Sequence, residues 1–221
     1  MREARTAVSA DAAAGRGRPT RARRLGPALA ALVVFAATAP LRADARLPGT
    51  LAGQLLVAAP DLPDPRFART VIYLVRHDRT GAQGFVVNRP LGEMPLKALM
   101  EQMGLSAAGV DGTVRIQAGG PVEGFGVFAL HTGDWTGPGT VAVDGGFAVT
   151  AQPDILRALA RAEGPRRVIF LLGYAGWGPG QLEAEILDGR WLRAPADEAL
   201  VFGPEHAAKW ERARARQRID L

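Results

Sequence analysis

The stretch best suited to chemistry is Gly173-Tyr174-Ala175-Gly176-Trp177-Gly178-Pro179-Gly180, followed by Gln181-Leu182-Glu183-Ala184-Glu185. The run before it, 167–172, is short, apolar and rich in branched or aromatic residues, which reads as a buried strand. After it, Leu182, Ile186 and Leu187 recur at helical spacing. Strand, glycine loop and helix N-terminus in that order can hold an anion on backbone N–H groups. Gly176, Trp177, Gly178 and Gly180 are therefore candidate ligand contacts. The spacing is not that of a dinucleotide fingerprint, because the third glycine falls too early, and no Lys-Ser/Thr pair follows as in a P-loop. The same residues can form a tight turn that packs Trp177 and Tyr174 on a sheet, and the balance favours that turn. Glu183 and Glu185 lie in the first helical turns, where acids suit the macrodipole and oppose a bound anion. Two residues apart on a helix, they point to different faces and make a poor catalytic pair.

His77 and His131 each fall at the end of an expected strand. With an acid such as Asp78 they could converge on a metal, or one could serve a nucleophile as base. No serine sits in a strained elbow, the chain has no cysteine, and no two histidines share a helix. Asp78 in a hairpin needs only turn chemistry. Arg89, in Asn88-Arg89-Pro90, could grip an anionic group through its planar fork or pair with Glu93 or Glu123. If Arg89, His77, His131 and the glycine loop lined one pocket, a small anionic ligand would be the better reading. His206, near the start of the last helix, receives no role. Nothing in these residues calls for catalysis, a metal or a cofactor.

Charge narrows the partners. The 221 residues carry a formal net charge of +5. Residues 1–46 hold nine Arg against Glu3, Asp11 and Asp44, a surplus of six, so the remaining residues sum to −1. That body lacks the basic footprint of a nucleic-acid-binding domain. The arginines at 212, 214, 216 and 218 read as a solvated helix face. An unidentified protein or small molecule is the expected partner.

The chain begins with an Ala- and Arg-rich extension expected to be disordered over residues 1–24. Arginines up to Arg24 lead into an uncharged apolar run, 25–41, and then Ala43-Asp44-Ala45. Basic, apolar and small-x-small in that order resemble a secretory signal, cleaved after Ala45. Residues 1–46 are thus an extension and 47–221 one domain. An exported mature chain is expected, with a mis-set start before a cytoplasmic protein as the alternative.

In the body, strands are expected over 54–59, 70–76, 84–88, 114–117, 124–131, 140–143, 147–150 and 167–172. Asp144-Gly145-Gly146 makes a hairpin turn. Helices are expected over 95–103 and 153–163, after the glycine loop, and from Pro204 onward. Trp191–Arg193 and Ala199–Phe202 read as edge strands. The total, roughly eight or nine hairpin-connected strands with about three or four short helices, is an α+β fold.

Several segments together resemble the YqgE/AlgH family. They are Gly53 through Pro60, Asp64-Pro65-Arg66-Phe67, Thr70-Val71-Ile72-Tyr73, His77-Asp78, Gly81, Gly84 through Pro90, Gly119-Gly120-Pro121-Val122, Leu130-His131, and Gly173 through Glu185. The resemblance spans about Leu51 to the C-terminus. It implies an α+β fold with a mostly antiparallel, bifurcated pseudo-barrel sheet and no established enzymatic activity. Members are often labelled transcriptional regulators, and most are cytoplasmic and lack a signal peptide, so the extension here departs from the family pattern. A non-enzymatic binding or regulatory module is the expected function. Transcriptional regulation, or a small-anion-binding protein or enzyme using Gly173–Gly180, is the alternative.

Overall fold

The computed structural model describes residues 49–217, so the expected signal peptide lies outside the described residues. The described elements are ten strands and five helices: β1 (Gln54–Ala58), β2 (Val71–Asp78), β3 (Gly81–Val86), β4 (Pro90–Pro95), α1 (Leu96–Gln102), β5 (Thr113–Ala118), β6 (Val122–Thr132), β7 (Thr140–Val143), β8 (Phe147–Thr150), α2 (Asp154–Ala160), β9 (Val168–Trp177), α3 (Gln181–Leu187), β10 (Trp191–Pro195), α4 (Glu198–Phe202) and α5 (His206–Arg214). This is the expected α+β class, a curled half-barrel sheet with one parallel pairing, β5 with β9.

β9 is the strand on which the sheet forks. Its first half lies between β5 and β6, with Phe170–Leu172 opposite Ile116–Ala118 on one side and Phe128 opposite Leu171 on the other. Its second half pairs with β3, Trp177 opposite Ala82 and Ala175 opposite Gly84. β5 ends where β3 takes over. The exchange is stitched by Gly119, whose N–H donates to the Leu172 carbonyl at 2.7 Å and whose carbonyl accepts from Val86 N–H at 2.8 Å.

Strand alternation sends successive side chains to opposite faces, and here both faces are covered. Leu55, Val57, Val71, Tyr73, Ile169 and Leu171 point into the curl, which α4 and α5 plug with Phe202 and Trp210. Their alternates Leu56, Ala58, Ile72 and Leu74 form a second core under α3. Phe170 and Ala129 form a third under α1 and α2. Doubly buried strands explain why β1, β2 and the start of β9 read as continuous apolar runs.

Three expectations need correction. The glycine segment is not a loop through Trp177, because β9 continues across Gly173–Trp177. Ala199–Phe202 is not an edge strand but most of α4, started by Asp197, whose carboxylate accepts from Leu200 N–H at 2.7 Å. β4, which is not among the expected strands, follows Asn88-Arg89 and pairs with β5. Helices number five among the described residues, more than the three or four expected.

Candidate functional site

The sequence candidates divide into groups. His77 on β2, Ala82 on β3 and Trp177 on β9 lie side by side across three strands. His77 Nδ1 accepts from Leu51 N–H at 3.1 Å, so the ring proton is on Nε2, which donates to Glu183 at 3.0 Å. Trp177 is buried. Its Nε1–H donates to Glu185 at 3.0 Å, and Trp191 Nε1–H donates to the same carboxylate oxygen at 2.7 Å. The two indoles meet edge to face, with centroids 5.9 Å apart. Burial pushes the Glu185 pKa up, but the donors on Gln181, Trp191 and Trp177 outweigh it and hold the carboxyl below its ordinary range. Glu183 and Glu185 thus serve two different contacts, both pinning α3 to the sheet. Gly178 N–H is already taken by Gln181 Oε1 at 3.1 Å. Glu185→Ala is expected to lower unfolding stability by about 1–3 kcal/mol, the cost of two poorly satisfied indole N–H groups. Urea unfolding followed by tryptophan emission measures it, and Glu185→Gln should recover part of the loss.

His131 lies apart from this cluster. It is fully buried; Nδ1–H donates to the Thr132 carbonyl at 2.8 Å and Nε2 accepts from Thr150 Oγ1 at 2.9 Å. Burial pushes its pKa down, so the ring is a neutral core group. Arg89 donates to the Ala68 carbonyl at 3.0 Å rather than to Glu93 or Glu123. Asp78 is slightly desolvated, yet Thr80 and Arg76 bring its pKa down to about 2, the turn chemistry expected of it. The structure therefore joins His77 to Trp177 but brings neither Arg89 nor His131 to them.

A different place gathers unpaired polar groups. Within β5, alternation puts Val114 and Ile116 toward the outer core and Arg115 and Gln117 on the opposite face. These two line a cleft of about 230 Å³ bounded by β4 and by the start of α5. Gln117 is only 1% exposed, yet neither its amide nitrogen nor its amide oxygen has a partner, and His206 Nδ1 lacks one too. These are the only buried unpaired side-chain polar atoms among the described residues, and Gln117 and His206 both line this cleft. Buried amides are nearly always hydrogen-bonded, so such a cluster asks for an explanation.

Arg115 is fixed by donating from Nη1 to the Phe202 carbonyl at 2.6 Å, and Glu93 faces it across the β4–β5 pair. Burial pulls the Arg115 pKa down. Burial, then the charges of Lys209 and Arg115, depress His206 in the same way. The locality is thus short of negative charge on the α5 side. Sequence reading missed Gln117 and His206. The available signal was the Arg-x-Gln alternation, which puts two polar residues on one face of an otherwise apolar strand.

A forked half-barrel α+β domain with a cleft lined by Glu93, Arg115, Gln117 and His206 is the class these features define. No cluster of three or more His, Cys, Asp or Glu suited to a metal occurs among the described residues. The chain belongs to the AlgH-like family, whose pattern matches residues 55–221. A UPF0301 protein of Afipia carboxidovorans is 47% identical over 77% of this chain and 85% of its own length. Another, from Rhodospirillum rubrum, is 47% identical over 78% of this chain and 90% of its own. The solution structure of the AlgH protein from Pseudomonas aeruginosa is similar with a TM-score of 0.61 and 38% identity, covering 78% of this chain and 92% of that one. A Corynebacterium diphtheriae protein, 21% identical with a TM-score of 0.60, shares the fold.

Proposed function

We propose that this domain is a non-enzymatic binding module whose recognition site is the cleft between β4–β5 and α5, and not the glycine segment. The observation that carries the reading is Gln117, a residue of the cleft lining whose side-chain amide is buried with both hydrogen-bonding atoms unpaired. An amide desolvated in this way destabilises the free protein and is matched when an ordered water or a ligand supplies its partners. The glycine segment offers less. Its Trp177 is buried, Gly178 N–H is engaged, and α3 carries two acids beside it. Transcriptional regulation draws no support from the charge, since the body of the chain is slightly acidic.

The test is a thermal-shift screen of a metabolite library against wild type and Gln117→Leu. Leucine fills similar volume without polar atoms, so the free variant is expected to be more stable than wild type by roughly 1 kcal/mol. Compounds that raise the wild-type Tm should fail to raise that of the variant. A variant less stable than wild type, or hits that stabilise both equally, would remove the cleft as the recognition site.

A further inference from the structure

We propose that Arg69, Arg89 and Arg214 form a docking surface for an acidic protein segment, one that presents carboxylates on alternate residues of an extended chain. None of the three lines the cleft. The surface is built on a clamp between two segments. Asn88 donates from Nδ2 to the Arg69 carbonyl at 2.8 Å, and its Oδ1 accepts from Val71 N–H at 2.9 Å. The next residue, Arg89, donates from Nη2 to the Ala68 carbonyl at 3.0 Å. Two consecutive residues after β3 thus hold two consecutive carbonyls before β2. Within the clamp Arg69 has φ +55°, a left-handed conformation unfavourable for a residue with a Cβ. Such a conformation persists where the surroundings enforce it.

The clamp fixes the direction of a cation. The Arg69 guanidinium lies 4.4 Å from the centroid of the buried Trp210 ring, and that of Arg214 lies 5.0 Å from the same centroid. The two guanidinium carbons are therefore within about 10 Å of each other. Neighbouring arginines are neutralised, Arg66 by Asp64, Arg212 by Glu205 and Arg216 by Asp197. Arg69 pairs with Glu211 at 2.8 Å, whereas Arg89 and Arg214 have no acidic partner among the described residues. All three arginines are exposed. Three cations against the one Glu211 leave a surplus of two positive charges, on a body that is otherwise slightly acidic. Side chains already ordered by stacking and hydrogen bonding lose less freedom when a partner arrives. Carboxylates at alternate positions of an extended segment are about 7 Å apart, a spacing that two of these guanidinium groups can meet, each through its planar fork. Nucleic acid fits less well, because a duplex runs on past so small a patch and over the acidic body.

The experiment titrates the full chain with hexaglutamate and hexaglutamine at low ionic strength, following the Trp210 indole N–H by NMR. That proton is held by the Ala58 carbonyl at 2.8 Å, directly under the patch, so binding to the arginine-rich residues 1–46 does not enter the readout. Hexaglutamate should shift the signal saturably and hexaglutamine should not. Arg89→Gln and Arg214→Gln should each weaken binding by roughly threefold to fivefold, the upper range for an exposed ion pair. Arg79→Gln, which removes an exposed arginine from the β2–β3 turn, should change it by less than about twofold, because salt and distance screen it. Asn88→Ala keeps every charge but opens the clamp, and should weaken binding by a factor similar to that of Arg214→Gln. Should Asn88→Ala not fold, the contrast between Arg214→Gln and Arg79→Gln decides. No saturable shift from hexaglutamate, equal losses from Arg79→Gln and Arg214→Gln, a folded Asn88→Ala that binds like wild type, or duplex DNA that shifts the Trp210 signal at lower concentration than hexaglutamate overturns the proposal.

Discussion

Gly173→Ala is expected to destabilise the protein by roughly 3–5 kcal/mol, while Gly178→Ala, five residues on, is expected to stay within about 0.5 kcal/mol of wild type. The glycine-rich segment would look uniform to any reading that treats it as a phosphate loop. Its positions are physically unlike. Gly173 has φ +69°, a left-handed conformation that costs an alanine about 1–2 kcal/mol. A Cβ there would also lie 2.5 Å from the Gly120 carbonyl oxygen and 2.7 Å from that of Val122. Both are backbone atoms that cannot turn aside. The approach is tight from the other side too, since a Cβ on Gly120 would lie 2.1 Å from the Tyr174 carbonyl carbon and one on Gly119 2.3 Å from the Gly173 oxygen. Gly119, Gly120 and Gly173 thus let the β5–β6 connection cross β9 at the fork. A Cβ on Gly178 would meet only Gln181 Oε1, at 3.9 Å, an ordinary contact. Urea unfolding of the two variants decides the matter. A Gly173→Ala midpoint equal to wild type would mean that the fork does not require this approach. The loss is a large share of the ~5–15 kcal/mol that holds a typical domain folded, so poor soluble yield of that variant alone fits the same expectation.

That contrast shows where the sequence was legible. The β7–β8 hairpin was readable because Asp144-Gly145-Gly146 supplies the positive φ that a tight turn needs, and both glycines adopt it, at +85° and +81°. β1, β2 and the first half of β9 were readable from apolar runs, and α1 and α2 from helical periodicity. The second half of β9 was hidden because glycine reads as punctuation, whereas here it marks close backbone approach inside a strand. β4 was hidden because Pro90, Gly92 and Pro95 suit an edge strand that makes few demands on its side chains, most of which are exposed. α4 was hidden because a short run such as Ala199-Leu200-Val201-Phe202 fits helix or strand equally, and the Asp197 cap decides it. Trp177 was readable as a packing residue, but its sharing of Glu185 with Trp191 was not. The cleft was the least legible feature. Gln117 and His206 belong to no motif, and only the packing of α5 on β1, β2 and β10 brings its first residue, His206, to the cleft that Gln117 lines.

The unfolding stability of the wild type is expected to rise with pH between about 7 and 10, and Lys209→Met is expected to lose most of that rise. Lys209 is fully buried, and its Nζ donates to the Val87 and Val201 carbonyls at 2.8 Å each. A neutral amine has two N–H donors, which these two acceptors use completely. The third proton of an ammonium finds no carboxylate in contact, and the nearby charges do not welcome it. Burial first, then the Arg115 charge, bring the pKa from its ordinary 10.5 to about 7; Glu205 opposes this and Arg212 reinforces it, while His206 packs on the same side. The sign follows from proton counting. Between the folded value near 7 and the unfolded value near 10.5, the unfolded chain keeps a proton that the folded protein has released. The unfolded state binds more protons in that window, so stability grows with pH there and is flat in this contribution on either side. From pH 7 to 9.5 the gain is on the order of 3 kcal/mol. Methionine keeps the apolar stem but leaves the two carbonyls without the amine, so the variant should fall further below wild type as pH rises. Urea unfolding of both proteins at pH 7 and pH 9.5 isolates the effect, since titrations common to the two cancel in the difference. A wild-type advantage that is the same at both pH values would show that Lys209 keeps its charge in the folded protein, stabilised by groups other than the two carbonyls.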